Sequence, residues 1–375
     1  MISKAARILV LADPLDNQQA GIHVYTREWL RALDGLPSEN TYFVARLKKS
    51  GDYKNLNEVV LPMPGLINGV RAKRLFYQLP DLAKEIKADI VIEPAHFGPF
   101  NLPSHIKRVT VIHDLTPVKF PHWHRLHSQI AQRWLLKSIL RRASLVVTNS
   151  QATSRDLQEY INLPSERIAK VYPGVDPMMQ ALNDKSVLLH YGINKPYFLV
   201  AGTIEPRKNL LGLLAAYRIF RAESGYNHQL VVAGARGWKS DAFFEALKTH
   251  PNRADIILTG FVPAIHLRTL YSCALAFVFP SFYEGFGFPV VEAMQCGTAV
   301  LCSNAGSLPE AGGDAALYFN PQDTSGITRL MKQISDDENL RGQLIEKGKR
   351  HAARFSWQDM AMKLDGLLSQ IHRGT

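Results

Sequence analysis

Cysteine is scarce. The chain of 375 residues has three, Cys273, Cys296 and Cys302, odd in number and without a CxxC pair. That excludes a disulfide framework and the usual zinc spacings, and it predicts buried, reduced thiols of a cytosolic protein. Long hydrophobic runs are also missing. No apolar stretch approaches the roughly 20 residues of a membrane-spanning helix. Nor is there a signal-peptide pattern, because Met1-Ile2-Ser3-Lys4 leads straight into the strand-like ARILVLA of residues 6–12. There is no GxGxxG, which counts against dinucleotide binding. No helix-turn-helix, zinc-finger or RNP-like aromatic signature occurs, so nucleic-acid binding has no motif behind it. Low-complexity segments and repeats shorter than a domain are absent as well.

What remains is an ordinary globular composition, 46% hydrophobic and 21% charged, with a net charge of +11. The length fits two domains better than one, since single cores stop growing at roughly 250–300 residues. The charge is lopsided. Residues 1–175 hold 24 Lys+Arg against 15 Asp+Glu, whereas residues 176–375 hold 20 against 18. A basic first half implies an anionic partner: nucleic acid, an acidic membrane surface or a phosphate-bearing substrate. Much of the excess lies in Arg71-Ala72-Lys73-Arg74 before Leu75-Phe76-Tyr77, and in the helix-like LHSQIAQRWLLKSILRRA of 126–143. Solvated helix faces explain both. Anchoring on anionic lipid explains them too, and accounts for the interleaved aromatic and aliphatic residues, Trp134 among them.

Short apolar runs alternate with amphipathic stretches along the whole chain. Ten strands are expected, at 6–12, 41–47, 88–94, 108–114 and 144–150, then 196–202, 228–234, 254–260, 275–281 and 298–304. Helix-like segments between them, such as 23–35, 209–224 and 263–274, make the pattern α/β. Near-continuous apolar strands predict parallel sheets covered on both faces. Two sets of five predict two doubly wound, Rossmann-like domains facing across a cleft, with ligands at the strands' C-terminal ends. VYPGVDPMM (171–179) marks the boundary. We expect an N-terminal domain over 1–173, a C-terminal one over 174–355, and a terminal helix over 356–375 that packs back on the first.

The most informative stretch is PSFYEGFGFPVVEAMQCG at 280–297. Strand 275–281 leads into a glycine loop and then a helix with Pro289 in its first turn. Glu284 sits on the loop at the strand's end and Glu292 one turn inside the helix. The Gly287 and Phe288 amides would face an anion, while the carboxylates grip sugar or ribose hydroxyls. A second constellation, Gly202-Thr203-Ile204-Glu205-Pro206-Arg207-Lys208-Asn209, again follows a strand. There Arg207 could fork two diphosphate oxygens and Lys208 add a compact charge. Gly21 opens a helix after the first strand, where a phosphate could approach the backbone. His113-Asp114 ends the strand VTVIHD.

Taken in order, PSFYEGFG with its Glu-x7-Glu spacing, GTIEPRKN, VYPGVD, the IHD strand end and GSLPEAGGDAALYF (306–319) resemble the retaining GT-B glycosyltransferases of family 4. Within that family the likeness is to bacterial mannosyltransferases of O-antigen or exopolysaccharide synthesis. The resemblance covers the whole chain and implies a hexosyltransferase. Glu284 would hold hydroxyls of the transferred sugar and Glu292 the ribose. The Phe286 and Gly287 amides, with Phe288, would meet the sugar or distal phosphate, and Lys208 the diphosphate. Gly21 and Asp114 would lie near the phosphates and acceptor, with His113 at the sugar. Many members carry arginine where this chain has Thr203, and Arg207 is the substitute expected here. No DxD pair occurs, so no metal or other cofactor is expected; cations and helix amides would neutralise the leaving group. Glu284 is not expected to be a nucleophile, the departing phosphate itself taking the acceptor's proton. The expected donor is GDP-mannose, with dTDP-rhamnose, UDP-glucose and UDP-N-acetylglucosamine as alternatives. The expected acceptor is a lipid-linked or oligosaccharide glycan, met on the anionic inner face of the cytoplasmic membrane without a spanning helix. A nucleotide-sugar 2-epimerase and a basic nucleic-acid-binding protein are the competing readings.

Overall fold

The computed structural model describes residues 5–17, 21–62, 72–95, 98–124 and 135–374. Its strands form two sheets, each parallel throughout. The first has seven strands in the order β3-β2-β1-β4-β5-β6-β7, drawn from β1 (Arg7–Leu11), β2 (Thr41–Arg46), β3 (Asn57–Val60), β4 (Ile90–Glu93), β5 (Lys107–Ile112), β6 (Leu145–Thr148) and β7 (Ile168–Lys170). The second has six in the order β10-β9-β8-β11-β12-β13, drawn from β8 (Tyr197–Ala201), β9 (Gln229–Ala233), β10 (Ile256–Gly260), β11 (Ala276–Phe279), β12 (Val300–Ser303) and β13 (Ala316–Phe319).

The central strands are apolar on both faces because helices cover both. IVIE of β4, LVVT of β6, YFLVA of β8 and AFVF of β11 are buried at every position, as parallel sheets require. All ten expected strands are present. Three more, β3, β7 and β13, correct the expectation of five per sheet. Each is the last strand at an edge. NEVV of β3 and IAK of β7 are short and partly exposed, so neither carries the apolar run by which a strand is recognised.

The chain divides into two compact units. The described residues of 1–118, 127–174 and 355–375 form the first, and those of 119–126 and 175–354 the second. In the first unit the helix Trp357–Arg373 turns Trp357, Met360, Leu364 and Leu368 inward. Its Asp365 accepts hydrogen bonds from Ser38 Oγ (2.6 Å), Asn40 Nδ2 (2.9 Å) and Tyr42 Oη (2.6 Å). Such a three-donor contact fixes the helix in one register. The second unit has its core between β8, β9, β11 and the helices Leu210–Ser224 and Thr324–Asp336. The three cysteines are free. Cys296 and Cys302 are buried and Cys273 is half-buried.

One expected surface feature is overturned. Arg74 is not an exposed cation beside Lys73; it is 1% exposed. It opens a π-helical turn, Arg74–Gln78, and reaches Asp13 through Nε (2.8 Å) and Nη2 (2.5 Å), with Nη1 on Leu61 O (2.7 Å). The bidentate carboxylate explains why a guanidinium can sit here at all. Trp134 and Arg71 lie outside the described residues.

Candidate active site

In the second sheet, strand order reverses between β8 and β11. A crevice opens at such a switch point, at the carboxyl ends of the two strands. The loop after β8 carries Arg207 and Lys208, and the loop after β11 carries Glu284. Seventy-odd residues apart in sequence, they meet here. Lys208 Nζ donates to Glu284 Oε1 at 2.7 Å, and Arg207 Nη1 donates to Glu284 Oε2. A second carboxylate stands behind the arginine: Glu205 Oε1 accepts from Arg207 Nη2 (2.7 Å) and Nε (3.2 Å). Arg207 Nη1 also donates to Tyr283 O (3.0 Å), and Phe282 N donates back to Arg207 O (2.9 Å).

Local geometry explains why these side chains point inward. Pro206–Lys208 is a 3-10 turn, and Asn209 leaves it in the left-handed region (φ 52°). Lys208 folds back over the Phe279 ring, 4.5 Å from its centroid. Gly202 makes room for it: a Cβ there would lie 3.3 Å from Lys208 Cε, at a φ of +128° that disfavours any side chain. Burial acts to raise the Glu284 pKa, but the charges of Arg207 and Lys208 outweigh it and hold the carboxyl at about 2. Burial also draws Lys208 down from the ordinary lysine range, against the pull of Glu284. The four groups form a compact, charge-balanced cluster.

The Glu284 loop is fixed from below. Ser307 donates to Glu284 O through both N (3.2 Å) and Oγ (2.9 Å), and a Cβ at Gly306 would meet that carbonyl at 2.7 Å. Gly287 is the N-cap of the helix Phe288–Gln295 at φ 103°. A Cβ there would strike Leu308 at 2.8 Å. Glu292 sits inside that helix and accepts a hydrogen bond from Tyr271 Oη at 3.1 Å. Burial pushes its carboxyl up to about 7, against the Tyr271 bond, with the charge of Asp176 adding to the rise. The two glutamates therefore differ: one is firmly ionised, the other titrates near neutrality. Phe286 is buried against Phe288, and Thr203 is exposed beside Gly237.

A strap of aromatic residues covers the same loop from outside. Phe120 lies against Tyr283 (centroids 5.4 Å apart) and Trp123 against Phe282 (6.0 Å). Trp238 Nε1 and Lys239 Nζ donate, each at 2.5 Å, to the carbonyls of Trp123 and His122. These contacts make Lys119–His124 part of the second unit although the flanking chain belongs to the first.

In the first unit, strand order reverses between β1 and β4. Gly21 opens the helix Gly21–Asp34, with nothing within 4 Å of where a Cβ would stand. His113 follows β5. Its Nε2 contacts Pro94 O at 2.8 Å, and since a carbonyl only accepts, Nε2 carries the proton. Burial lowers the His113 pKa, against that bond and the Asp114 charge. The Tyr25 ring stands edge-on to it at 4.7 Å and touches Trp357 in turn. Asp114 Oδ1 accepts from Thr116 N (2.9 Å) and Oγ1 (2.6 Å), the work of a turn cap. Among the described residues, no three or more His, Cys, Asp or Glu side chains are grouped as a metal site.

Two family profiles match: Glycosyltransferase Family 4 over residues 20–178, and Glycosyl transferases group 1 over residues 191–351. O-antigen chain mannosyltransferase B of Escherichia coli is 36% identical over 273 residues, 70% of this chain and 71% of that protein. The chain belongs to the family 4 glycosyltransferases. The serotype-specific mannosyltransferase WbdA of Escherichia coli is 31% identical over 287 residues, 69% of this chain but only 33% of WbdA. The GT-B fold is shown by solved structures as well. Sucrose-phosphate synthase from Thermosynechococcus elongatus superposes with a TM-score of 0.79 at 17% identity, covering 99% of this chain and 100% of that one. WaaG, a glycosyltransferase involved in lipopolysaccharide biosynthesis, gives 0.71 at 16% identity over 98% of this chain and 100% of that one.

In this glycosyltransferase the structure brings together Arg207, Lys208 and Glu284, with Gly287 and Glu292 following on the same loop and helix. Gly21, His113 and Asp114 lie in the other unit. Glu205, Ser307 and Tyr271 were missed from sequence. Glu205 lies inside the GTIEPRKN turn and Ser307 inside GSLPEAGG, so both stood in quoted motifs without an assigned partner. Tyr271 had no local signal.

Proposed function

We propose that this glycosyltransferase transfers mannose from GDP-mannose to a lipid-linked or oligosaccharide acceptor in cell-surface polysaccharide synthesis, with retention and without a metal. The observation that carries the reading is the Arg207–Lys208–Glu284 cluster at the switch point of the second sheet. It offers positive charge for a departing diphosphate and an ionised carboxylate for sugar hydroxyls within one hydrogen-bond network. The relatives support the sugar: O-antigen chain mannosyltransferase B of Escherichia coli, and O-antigen chain mannosyltransferase RfbU of Salmonella typhimurium at 26% identity.

In this reading the C1–O bond to the diphosphate breaks while the acceptor oxygen bonds to C1 on the same face. The acceptor's proton passes to the departing phosphate oxygen. The positive field of the Arg207–Lys208 pair favours the charge that develops there. Glu284 orients the sugar and Glu292 the ribose. The amides of Phe286, Gly287 and Phe288, with Thr203, line the donor. Gly21, His113 and Asp114 serve the acceptor side, where the neutral His113 can accept or share a hydrogen bond without adding charge.

The same reading puts the protein on the inner face of the cytoplasmic membrane. No helix among the described residues is long and apolar enough to cross a bilayer. Tyr77 (61%) and Phe76 (38%) are exposed beside Lys73, and Leu135 (40%) is exposed on the segment that ends in exposed Arg141 and Arg142. Aromatic and basic residues so placed suit an anionic interface.

The test is turnover with a lipid extract of the source cell and four donors: GDP-mannose, dTDP-rhamnose, UDP-glucose and UDP-N-acetylglucosamine. Transfer from GDP-mannose at least tenfold faster than from the rest, with an α-linked product by NMR, is expected. Preference for another donor would replace the mannose assignment. A β-linked product from an α-linked donor would refute retention.

A further inference from the structure

The two cations of the site are not equivalent. Arg207 has five N–H donors, and four of its hydrogen bonds end on the protein itself: two on Glu205 Oε1, one on Tyr283 O and one on Glu284 Oε2. Its backbone carbonyl is bound as well, by Phe282 N at 2.9 Å. Glu205 is buried. To fork two phosphate oxygens, Arg207 would have to give up at least one of these bonds, and releasing a carboxylate would leave buried Glu205 without its counter-ion or Glu284 with Lys208 alone, which is unfavourable. Lys208 differs. Of its three N–H donors, one goes to Glu284 Oε1 at 2.7 Å, and the ammonium also lies over the face of Phe279 and beside the backbone of Gly202. An ammonium with donors to spare can add a phosphate oxygen without losing its carboxylate.

We propose that Lys208 alone of the pair meets the donor diphosphate, while Arg207, braced by Glu205, is a positioning residue that fixes the carboxylate of Glu284 toward the sugar. The inference rests on the donor site proposed above and divides the labour within it. Glu205 thereby becomes part of the machinery without touching substrate. The bracing is two-sided: Arg207 also holds Tyr283 O, the carbonyl of the residue before Glu284, so one guanidinium sets both the backbone and the carboxylate of the loop. Lysine at 207 would keep the charge but could not fork to Glu205, Tyr283 and Glu284 at once.

The experiment separates diphosphate binding from sugar orientation. Nucleoside diphosphate affinity is measured by calorimetry with GDP, UDP and dTDP, and kcat and KM with the donor that turns over. Five proteins are compared: wild type, Lys208→Ala, Glu205→Gln, Arg207→Lys, and the charge-balanced double variant Arg207→Met with Glu205→Gln, which leaves no buried carboxylate at 205 unpaired if Arg207→Met alone fails to fold. For Lys208→Ala, nucleoside diphosphate affinity should fall at least tenfold. Glu205→Gln and the double variant should bind it within about threefold of wild type and lose at least tenfold in kcat; only the double variant should also shift the acid limb of kcat to higher pH, because there Glu284 loses the Arg207 charge. Arg207→Lys should not restore kcat. Loss of diphosphate affinity in the double variant equal to that in Lys208→Ala would overturn the division. Wild type that binds none of the three diphosphates would instead bring down the donor-site reading, and this inference with it.

Discussion

Removing the carboxylate at 284 tests the site hardest, because the structure fixes both a thermodynamic and a kinetic consequence. In Glu284→Ala, Arg207 Nη1 and Lys208 Nζ lose a shared buried partner. Deleting one member of a buried pair costs about 3–5 kcal/mol. The same two cations hold the Glu284 carboxyl at about 2, and against an ordinary value near 4.5 that depression corresponds to roughly 3 kcal/mol. At about 2–4 °C per kcal/mol for a unit of this size, the melting temperature should fall by roughly 6–20 °C. The sign with pH follows from a depressed acid. The stabilisation is fully present above about 4.5, the unfolded value, and is lost as pH falls through about 2, so the wild-type melt should decline over that window and the variant's less steeply. Turnover should drop at least a hundredfold, about 3 kcal/mol of transition-state stabilisation. A nucleoside diphosphate brings anionic oxygens to the vacated lysine and should stabilise the variant more than it stabilises wild type. Scanning calorimetry with and without GDP, beside a turnover assay, reads all of this. A melt within about 2 °C of wild type, or turnover within tenfold, would show that the cluster is neither the charge-paired unit nor the functional site described.

Three further outcomes are expected. Glu292, raised to about 7, should make donor affinity improve as pH rises from 6 to 8, by at most about tenfold, because the ionised carboxylate accepts more strongly from ribose hydroxyls than the protonated one; its stability contribution has the opposite sign, falling between about 4.5 and 7, and Glu292→Gln should flatten both profiles. EDTA should leave activity within about twofold, whereas complete loss rescued by magnesium or manganese would overturn the metal-free reading. Liposome co-sedimentation should require anionic lipid and fade with salt; reversing Lys73, Arg141 and Arg142 to glutamate, at roughly 1 kcal/mol per lost cation, should abolish it while sparing turnover on a short soluble acceptor, and equal binding to neutral vesicles would refute it.

The sequence carried the fold well where burial is two-sided. LVVT, YFLVA and AFVF have no alternative to a covered parallel strand, and each was legible. At sheet edges the signal weakens, since NEVV and IAK bury too little to stand out. The site was legible as two loops at strand ends, but not as a network. That Arg207 is consumed by Glu205 and Glu284 depends on a contact across 77 residues, which no local pattern encodes. Arg74 shows the converse failure. In an Arg-Ala-Lys-Arg run it looked like surface charge, yet a π-helical turn directs it inward onto Asp13, 61 residues away. Charge runs report composition; which cation faces water is decided by the turn on which it sits.

The strap of Phe120, His122 and Trp123 has a practical consequence for protein engineering. Cutting the chain at the proline-rich boundary near residue 174 would strand these side chains on the wrong fragment and strip the aromatic cover from Phe282 and Trp238. The second unit expressed alone from there would present a sticky apolar face around its own Glu284 loop. Chimaeras that exchange halves between family members meet the same difficulty in disguise, because six residues from one parent must fit the loop of the other. A functional hybrid therefore needs to carry Lys119–His124 together with the half that it clasps, as an inserted graft rather than a simple head-to-tail fusion.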